Sequence, residues 1–265
     1  MRSIPPPLAL VTGASTGIGL ELAKQFAAHD FDVVMVAEEA AITDAAAHIA
    51  RPGVRVEPIR LDLTRPENVE TLAQRLTEIG EPTALALNAG TGTGGAFVTG
   101  TTLADQLAVV DLNVRSTVHL AKLLLPGMVE RAHGRVLFTS SIAATAPGPY
   151  QAVYNASKAF VQSFAKALRE ELKDTGVTVT ALLPGPTATH FFARAGMLDT
   201  RIATGPKDDP TTVARDGYEA LMNGKRQVVA GSLINRAQTA AARLLPDSVL
   251  TAAHRLLTKP GTARG

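Results

Sequence analysis

The chain has no cysteine and no tryptophan, and phenylalanine and tyrosine together make up 4% of its 265 residues. Without cysteine there is no disulfide scaffold, thiolate zinc site, iron–sulfur cluster or cysteine nucleophile. The six histidines (His29, His48, His119, His133, His190 and His254) form no H-x-x-x-H pair, so no metal site is expected. No apolar run is free of turn or polar residues over the length of a membrane span. Prolines at 5–7 interrupt the start, so no signal peptide is read and the expected compartment is cytoplasmic. Basic residues do not dominate: the formal net charge is +2, with positions 1–224 at −4 and the remainder at +6. A body of that sign, poor in aromatics, does not suit a nucleic-acid surface.

Apolar residues reach 46% against 19% charged, enough for one large core. Short β-branched runs alternate with helical periods, the pattern of βαβ units on a parallel sheet. Strands are read at Leu8–Thr12, Asp32–Ala37, Val54–Leu61, Thr83–Asn88, Arg135–Ser140, Val177–Leu183 and Gln227–Ala230. Between them, Ile18, Leu22 and Phe26 mark one helix, Thr43–Ala50 another, and Thr64-x-x-Glu67 reads as a capping box opening a third. A long helix follows over Leu103–Arg131 and another over Ala152–Thr175. One domain over residues 1–231, with a C-terminal extension over 232–265, accounts for the whole chain. Right-handed crossovers then set the first and fourth strands at a switch point, where such sheets bind ligands.

Two local patterns carry chemistry. Gly13-Ala14-Ser15-Thr16-Gly17-Ile18-Gly19 lies between a strand and a helix, where bare glycines let a pyrophosphate reach free helix N–H groups. Tyr154 and Lys158 are four apart on one predicted helix, with Ser141 thirteen residues earlier at a strand end. A nearby ammonium stabilises a phenolate, so the pair suits acid/base work on an alcohol or carbonyl; it equally suits a packed helix with a snorkelling lysine.

In combination, Thr12–Gly19, Asn88-Ala89-Gly90, Asn113, Ser141 and Tyr154-x-x-x-Lys158 resemble the short-chain dehydrogenase/reductase family over residues 8–230. The resemblance implies an α/β fold, a single Rossmann domain with a seven-stranded parallel sheet and helices on both faces. It implies NAD or NADP as cofactor and a homodimer or homotetramer. Tyr154 would be the catalytic acid/base, and Lys158 would bind the nicotinamide ribose and lower the tyrosine pKa. Ser141 would hold the substrate oxygen, and Asn113 would anchor a water relaying protons to Lys158. Cofactor contacts are expected at Gly13, Ser15, Thr16, Gly17, Ile18 and Gly19. Further contacts fall at Asp62, Leu63, Asn88, Ala89, Gly90, Pro184, Gly185, Thr187 and Thr189. Leu87 departs from the pattern, standing where many members carry asparagine.

Glu38 lies nineteen residues after Gly19, near the offset at which an acid meets the adenosine ribose, so NAD is preferred over NADP. A substrate lid is read over Pro186–Pro210, with Phe191, Phe192, Met197 and Leu198 facing Ala143, Ala144 and Pro147. Those apolar walls point to a hydrophobic alcohol and its ketone or aldehyde. In the extension, Leu233, Ile234, Ala237, Ala240, Ala241, Leu244 and Leu245 form one apolar stripe. Val249, Leu250, Ala253, Leu256 and Leu257 form a second, with Arg236, Arg243, Arg255 and Lys259 off both. Without bulky aromatics the stripes are read as docking on protein rather than on an anionic membrane. Two other functions fit the same residues: a non-catalytic dinucleotide-binding regulator, and a membrane-surface protein using the basic tail.

Overall fold

The computed structural model describes residues 6–241 and 245–263. Seven strands form one parallel sheet: β1 (Leu8–Thr12), β2 (Asp32–Ala37), β3 (Val56–Arg60), β4 (Ala84–Leu87), β5 (Gly134–Thr139), β6 (Val177–Pro184) and β7 (Gln227–Ala230). Their order is β3-β2-β1-β4-β5-β6-β7. The chain therefore winds outward in both directions from the β1/β4 boundary, the expected switch point.

The helices are α1 (Gly17–Ala28), α2 (Ile42–Ile49), α3 (Pro66–Ile79), α4 (Leu103–Val110), α5 (Ser116–Glu130), α6 (Ala152–Glu171), the one-turn α7 (Phe191–Arg194) and α8 (Arg201–Thr204), α9 (Pro210–Met222), α10 (Leu233–Ala241) and α11 (Asp247–Thr258). Alternate strand residues feed opposite layers, as the two-residue period of a strand requires. Ala9, Val11, Val33 and Met35 pack with Leu22 and Phe26 of α1 and Val213 and Leu221 of α9. Leu8, Leu10, Val34 and Val36 pack with Leu72 of α3, Leu120 of α5 and Val161 of α6 on the other face. The central strands are thus covered on both sides, which is why β1, β2 and β4 read as nearly continuous apolar runs.

Two expectations are corrected. Thr64 does not cap α3: its hydroxyl donates to Asp62 Oδ1 at 2.7 Å, Arg65 is the cap residue, and Pro66 supplies the preset φ of the first turn. The predicted Leu103–Arg131 helix is interrupted by a five-residue π-helical segment, Asp111–Arg115, which contains Asn113.

The extension is tied down along its length. Ser232 N–H and the Asn235 amide both donate to the Asp208 carboxylate. Thr258 Oγ1 donates to Pro149 O at 2.8 Å, and Gly261 N–H to Asp199 Oδ2 at 2.7 Å. Arg243 and Leu244, and the side chains of Leu233, Ala240 and Ala241, lie outside what is described. Among the described residues no helix is long and apolar enough to cross a membrane.

Candidate active site

The carboxyl ends of β1 to β6 open into one continuous cleft of about 990 Å³. It is lined by Gly13 and Ser15–Gly19 after β1, Glu38 after β2, Asp62 and Leu63 after β3, and Asn88–Gly90 after β4. Ser141, Tyr154 and Lys158 follow on the β5 side, and Pro184, Gly185, Thr187 and Thr189 after β6. All the expected contact residues except Asn113 border it directly. Asn113 is buried just behind, at 1% exposure.

The glycine turn is built for close approach. Gly13 and Gly17 have φ of +65° and +60°, a region unfavourable to other residues. Asn88 braces the turn: its amide donates to Thr12 O at 3.1 Å, and its Oδ1 accepts from Thr139 Oγ1 at 3.1 Å. Thr12 Oγ1 in turn accepts from the N–H groups of Asn88 and Ala89. Neighbouring strand ends are thereby locked together under the turn, and α1 starts immediately after it. An elongated cleft with an anion-suited helix start and bare glycines at one end fits a dinucleotide.

Ser15 and Thr16 are engaged by the protein itself. Ser15 Oγ donates to Glu39 Oε2 at 2.9 Å, and Arg194 of α7 reaches back to Glu39 Oε1 at 2.8 Å and Thr16 Oγ1 at 3.3 Å. Neither Glu39 nor Arg194 was singled out by the sequence; the pair joins segments remote in the chain and leaves no local pattern. Glu38 faces the same region. Burial, with Asp62 and Glu39 adding like charge, holds its carboxyl above the usual range. Asp62 Oδ1 also closes the Thr64 turn at 2.9 Å from its N–H.

At the other end, Lys158 is 4% exposed and Ser141 9%. Burial pushes the Tyr154 phenol up to about 12, against a hydrogen bond with the Ser141 side chain. Burial pulls Lys158 down to about 8. Among the protein's own groups, burial outweighs any lowering of the phenol. The ammonium donates to Thr139 O at 3.0 Å and lies 5.9 Å from the tyrosine ring centroid, so loss of hydration dominates both groups.

Asn113 bridges inward: its Oδ1 accepts from Thr91 N–H, and its amide donates to Thr91 O and Ser157 Oγ, each at 2.9 Å. A side chain on Gly90 would begin 2.9 Å from Lys158 Nζ and 3.2 Å from Asn113 Oδ1. The glycine therefore keeps open the space that both groups border. Ser157, which the sequence reading passed over, fixes that amide.

The segment read as a lid lies over the site. Phe191 lies against Tyr154 with ring centroids 5.1 Å apart, and Thr189 packs its methyl over Gly17. Phe191 and Phe192 line the cleft as expected, and Ala143 does so opposite. Met197 and Leu198 do not: Met197 is buried behind the lid, accepting from Gln151 Nε2, while Leu198 is 64% exposed. Ala144 and Pro147 also lie off the lining, which takes Ile142, Thr145 and Ala146 instead. The extension supplies the roof through Ile234, Leu245, Leu250, Ala253, His254 and Leu257.

Comparison with known proteins places this architecture. The family model described as short chain dehydrogenase matches residues 7–197. The ketoacyl reductase HetN of Nostoc sp. is 28% identical over 261 residues, covering 94% of this chain and 88% of its own. A short-chain dehydrogenase from Sphingobium yanoikuyae, solved in complex with NADPH, superposes with a TM-score of 0.80 at 29% identity over 98% of both chains. The bulky-bulky ketone specific alcohol dehydrogenase of Comamonas testosteroni superposes with a TM-score of 0.75 at 27% identity, over 90% of this chain and 92% of that one.

Proposed function

The chain belongs to the short-chain dehydrogenase family and is an NAD(P)-dependent oxidoreductase of CH–OH and C=O groups; on that premise we propose that it interconverts a bulky, largely apolar alcohol and its ketone, with Tyr154 as the acid/base. The observation that carries the reading is the convergence of Ser141, Tyr154 and Lys158 on one cleft with apolar walls, Ser141 and Lys158 buried and Tyr154 partly exposed, beside a stretch that fits a dinucleotide.

A bound nicotinamide supplies or accepts the hydride. The protein's own residues manage the proton. In the reducing direction Tyr154 Oη gives its proton to the carbonyl oxygen, which Ser141 Oγ holds in place by a hydrogen bond. A phenol whose pKa is held near 12 keeps that proton until the substrate arrives. Lys158, whose ammonium donates to Thr139 O and lies 5.9 Å from the Tyr154 ring centroid, would hold the ribose hydroxyls of the bound cofactor and place a positive charge near the phenolate as it forms. Asn113 fixes the opposite side of the Gly90 gap, where a water can hand a proton to Lys158. Asn88 positions the phosphate turn rather than touching the reacting atoms.

Glu38 supports NAD over NADP. With Glu39 and Asp62 it makes the adenosine end acidic, and a 2′-phosphate there meets like charge. The Arg194 guanidinium is already committed to Glu39.

A homo-oligomer is supported by an apolar groove outside the cleft, where Phe97 and Phe160 are 57% and 41% exposed beside Val110, Ala152, Val153 and Ala156.

The test is a panel of linear, cyclic and diaryl ketones followed by oxidation of NADH and of NADPH. The expected result is turnover of the bulky members with a higher kcat/KM for NADH. No turnover of any ketone by a chain that binds NADH contradicts the reading; preference for NADPH contradicts the cofactor assignment alone.

A further inference from the structure

The helix α11 is seated on the body by one side only. Thr258 Oγ1 donates to Pro149 O at 2.8 Å, and Leu250, Thr251 and His254 recur at helical spacing on that same side, half-buried. The opposite side carries Val249, Ala252, Ala253, Leu256 and Leu257, also at helical spacing and all exposed. A surface helix ordinarily turns its apolar stripe to the core and its polar face to water. Here the seated side holds two threonines and a histidine, and the outward side is apolar throughout. Of the second stripe read from the sequence, the body takes up Leu250.

The patch extends beyond the helix. Leu256 is 63% exposed and Val249 49%, with Leu245 just before the helix at 45% and Leu198 at 64%. The helix α8 packs against α11, and Asp199 accepts from Gly261 N–H just past its end, so Leu198 lies beside the same surface. Isolated exposed leucines need no explanation, but a continuous apolar face does. Ala253 and Leu257 also border the mouth of the cleft, so its apolar wall runs out onto this face.

Charge narrows what can cover it. From Ser232 onward the chain carries five basic residues against Asp247 alone. Arg255 and Lys259, four apart, are exposed along one edge of the apolar face, and Arg201 of α8 is exposed nearby. The acids on this side are Asp247, in the first turn of α11 where free N–H groups favour an anion, and Asp199, engaged by Gly261. A second copy of the chain is a poor occupant, because two-fold pairing sets the patch against itself and brings its cations face to face. A lipid surface with anionic headgroups answers both features, taking the aliphatic side chains among its acyl chains and the cations at its headgroups.

We propose that α11 seats the protein on an anionic lipid surface, with Val249, Leu256 and Leu257 entering the acyl boundary, Arg255 and Lys259 at the headgroups, and the mouth of the cleft at the edge of the contact. Without aromatic anchors the contact is shallow and reversible, and it depends on charge. It does not depend on which ketone is reduced.

Co-sedimentation of the full chain with phosphatidylcholine vesicles, with and without phosphatidylserine, tests the proposal. The expected result is binding to the phosphatidylserine vesicles that weakens as salt is raised, and little binding to phosphatidylcholine alone. The double variant Val249→Ser/Leu256→Ser should lose most of that binding. Arg255→Gln/Lys259→Gln should weaken it about fivefold for each charge removed. NADH affinity and Tm, which should stay near wild type in both variants, report that they are folded. No binding of wild type to phosphatidylserine vesicles, equal binding to both vesicles, or binding that survives Val249→Ser/Leu256→Ser overturns the proposal. If wild type ignores vesicles and that variant sediments as a smaller species, the face belongs to a second copy and the lipid assignment is wrong.

Discussion

At the scale of single residues, the chemistry turns on two side chains that the fold has dried out. Lys158 is charged below about pH 8 and neutral above it, because burial disfavours the ammonium. Its proposed roles need the cation, so ketone reduction should decline as pH rises through about 8, while Tyr154, held near 12, remains protonated throughout. Lys158→Arg should carry whatever activity it retains past pH 10, since a guanidinium does not deprotonate in that range. A falling limb that stays near pH 8 in the arginine variant would remove Lys158 as its source. Ser141, Tyr154, Lys158 and Asn113 were legible because together, in order and spacing, they resemble the family's pattern, whereas each alone also fits an ordinary structural role. The sequence did not show that Asn113 is spent on Thr91 and Ser157, since those bonds depend on how three separate segments meet.

At the scale of elements, the lid and the glycine turn are strapped together. Arg194 on α7 holds Glu39 and Thr16, and Thr189 sits on Gly17, so a cofactor leaving the cleft has to part these contacts. A partly exposed ion pair contributes on the order of 1 kcal/mol or less, equivalent to a severalfold change in rate. Arg194→Ala should therefore speed NADH release severalfold in a stopped-flow displacement, with a smaller change in Kd. Release at the wild-type rate would show that the strap is not on the exit path. The central strands were readable because they are apolar runs bounded by turn residues, and α6 because its apolar face repeats. The π-helical turn at Asp111–Arg115 was not, because a shift of backbone hydrogen bonds to i+5 has no residue signature in that stretch. Thr64-x-x-Glu67 has the spacing of a capping box, but Asp62 takes the hydroxyl and Arg65 takes Glu67 at 2.9 Å.

At the scale of the whole molecule, two apolar surfaces have different fates. The stripes of the extension named residues that would be covered, without saying by what; Leu250, Ala253 and Leu257 border the cleft, yet Leu257 stays 45% exposed, beside Val249 at 49% and Leu256 at 63%. Amphipathic periodicity fixes a face of a helix but not its neighbour. The groove around Phe160 has no cover within the described chain. Phe160→Glu places a charge in it and should shift sedimentation toward monomer with little loss of Tm; an unchanged oligomer, or a monomeric wild type, would show that the groove is not the contact.

The central claim is that Tyr154 Oη carries the proton in a site whose cofactor contacts lie elsewhere along the cleft. Its most direct test is Tyr154→Phe, measured twice: NADH affinity by fluorescence titration, and kcat with the best ketone of the panel. The account predicts an affinity close to wild type and a kcat at least about a hundredfold lower, the minimum contribution of a positioned acid/base group. A phenylalanine variant that binds NADH normally and keeps more than about a tenth of the wild-type kcat would contradict it.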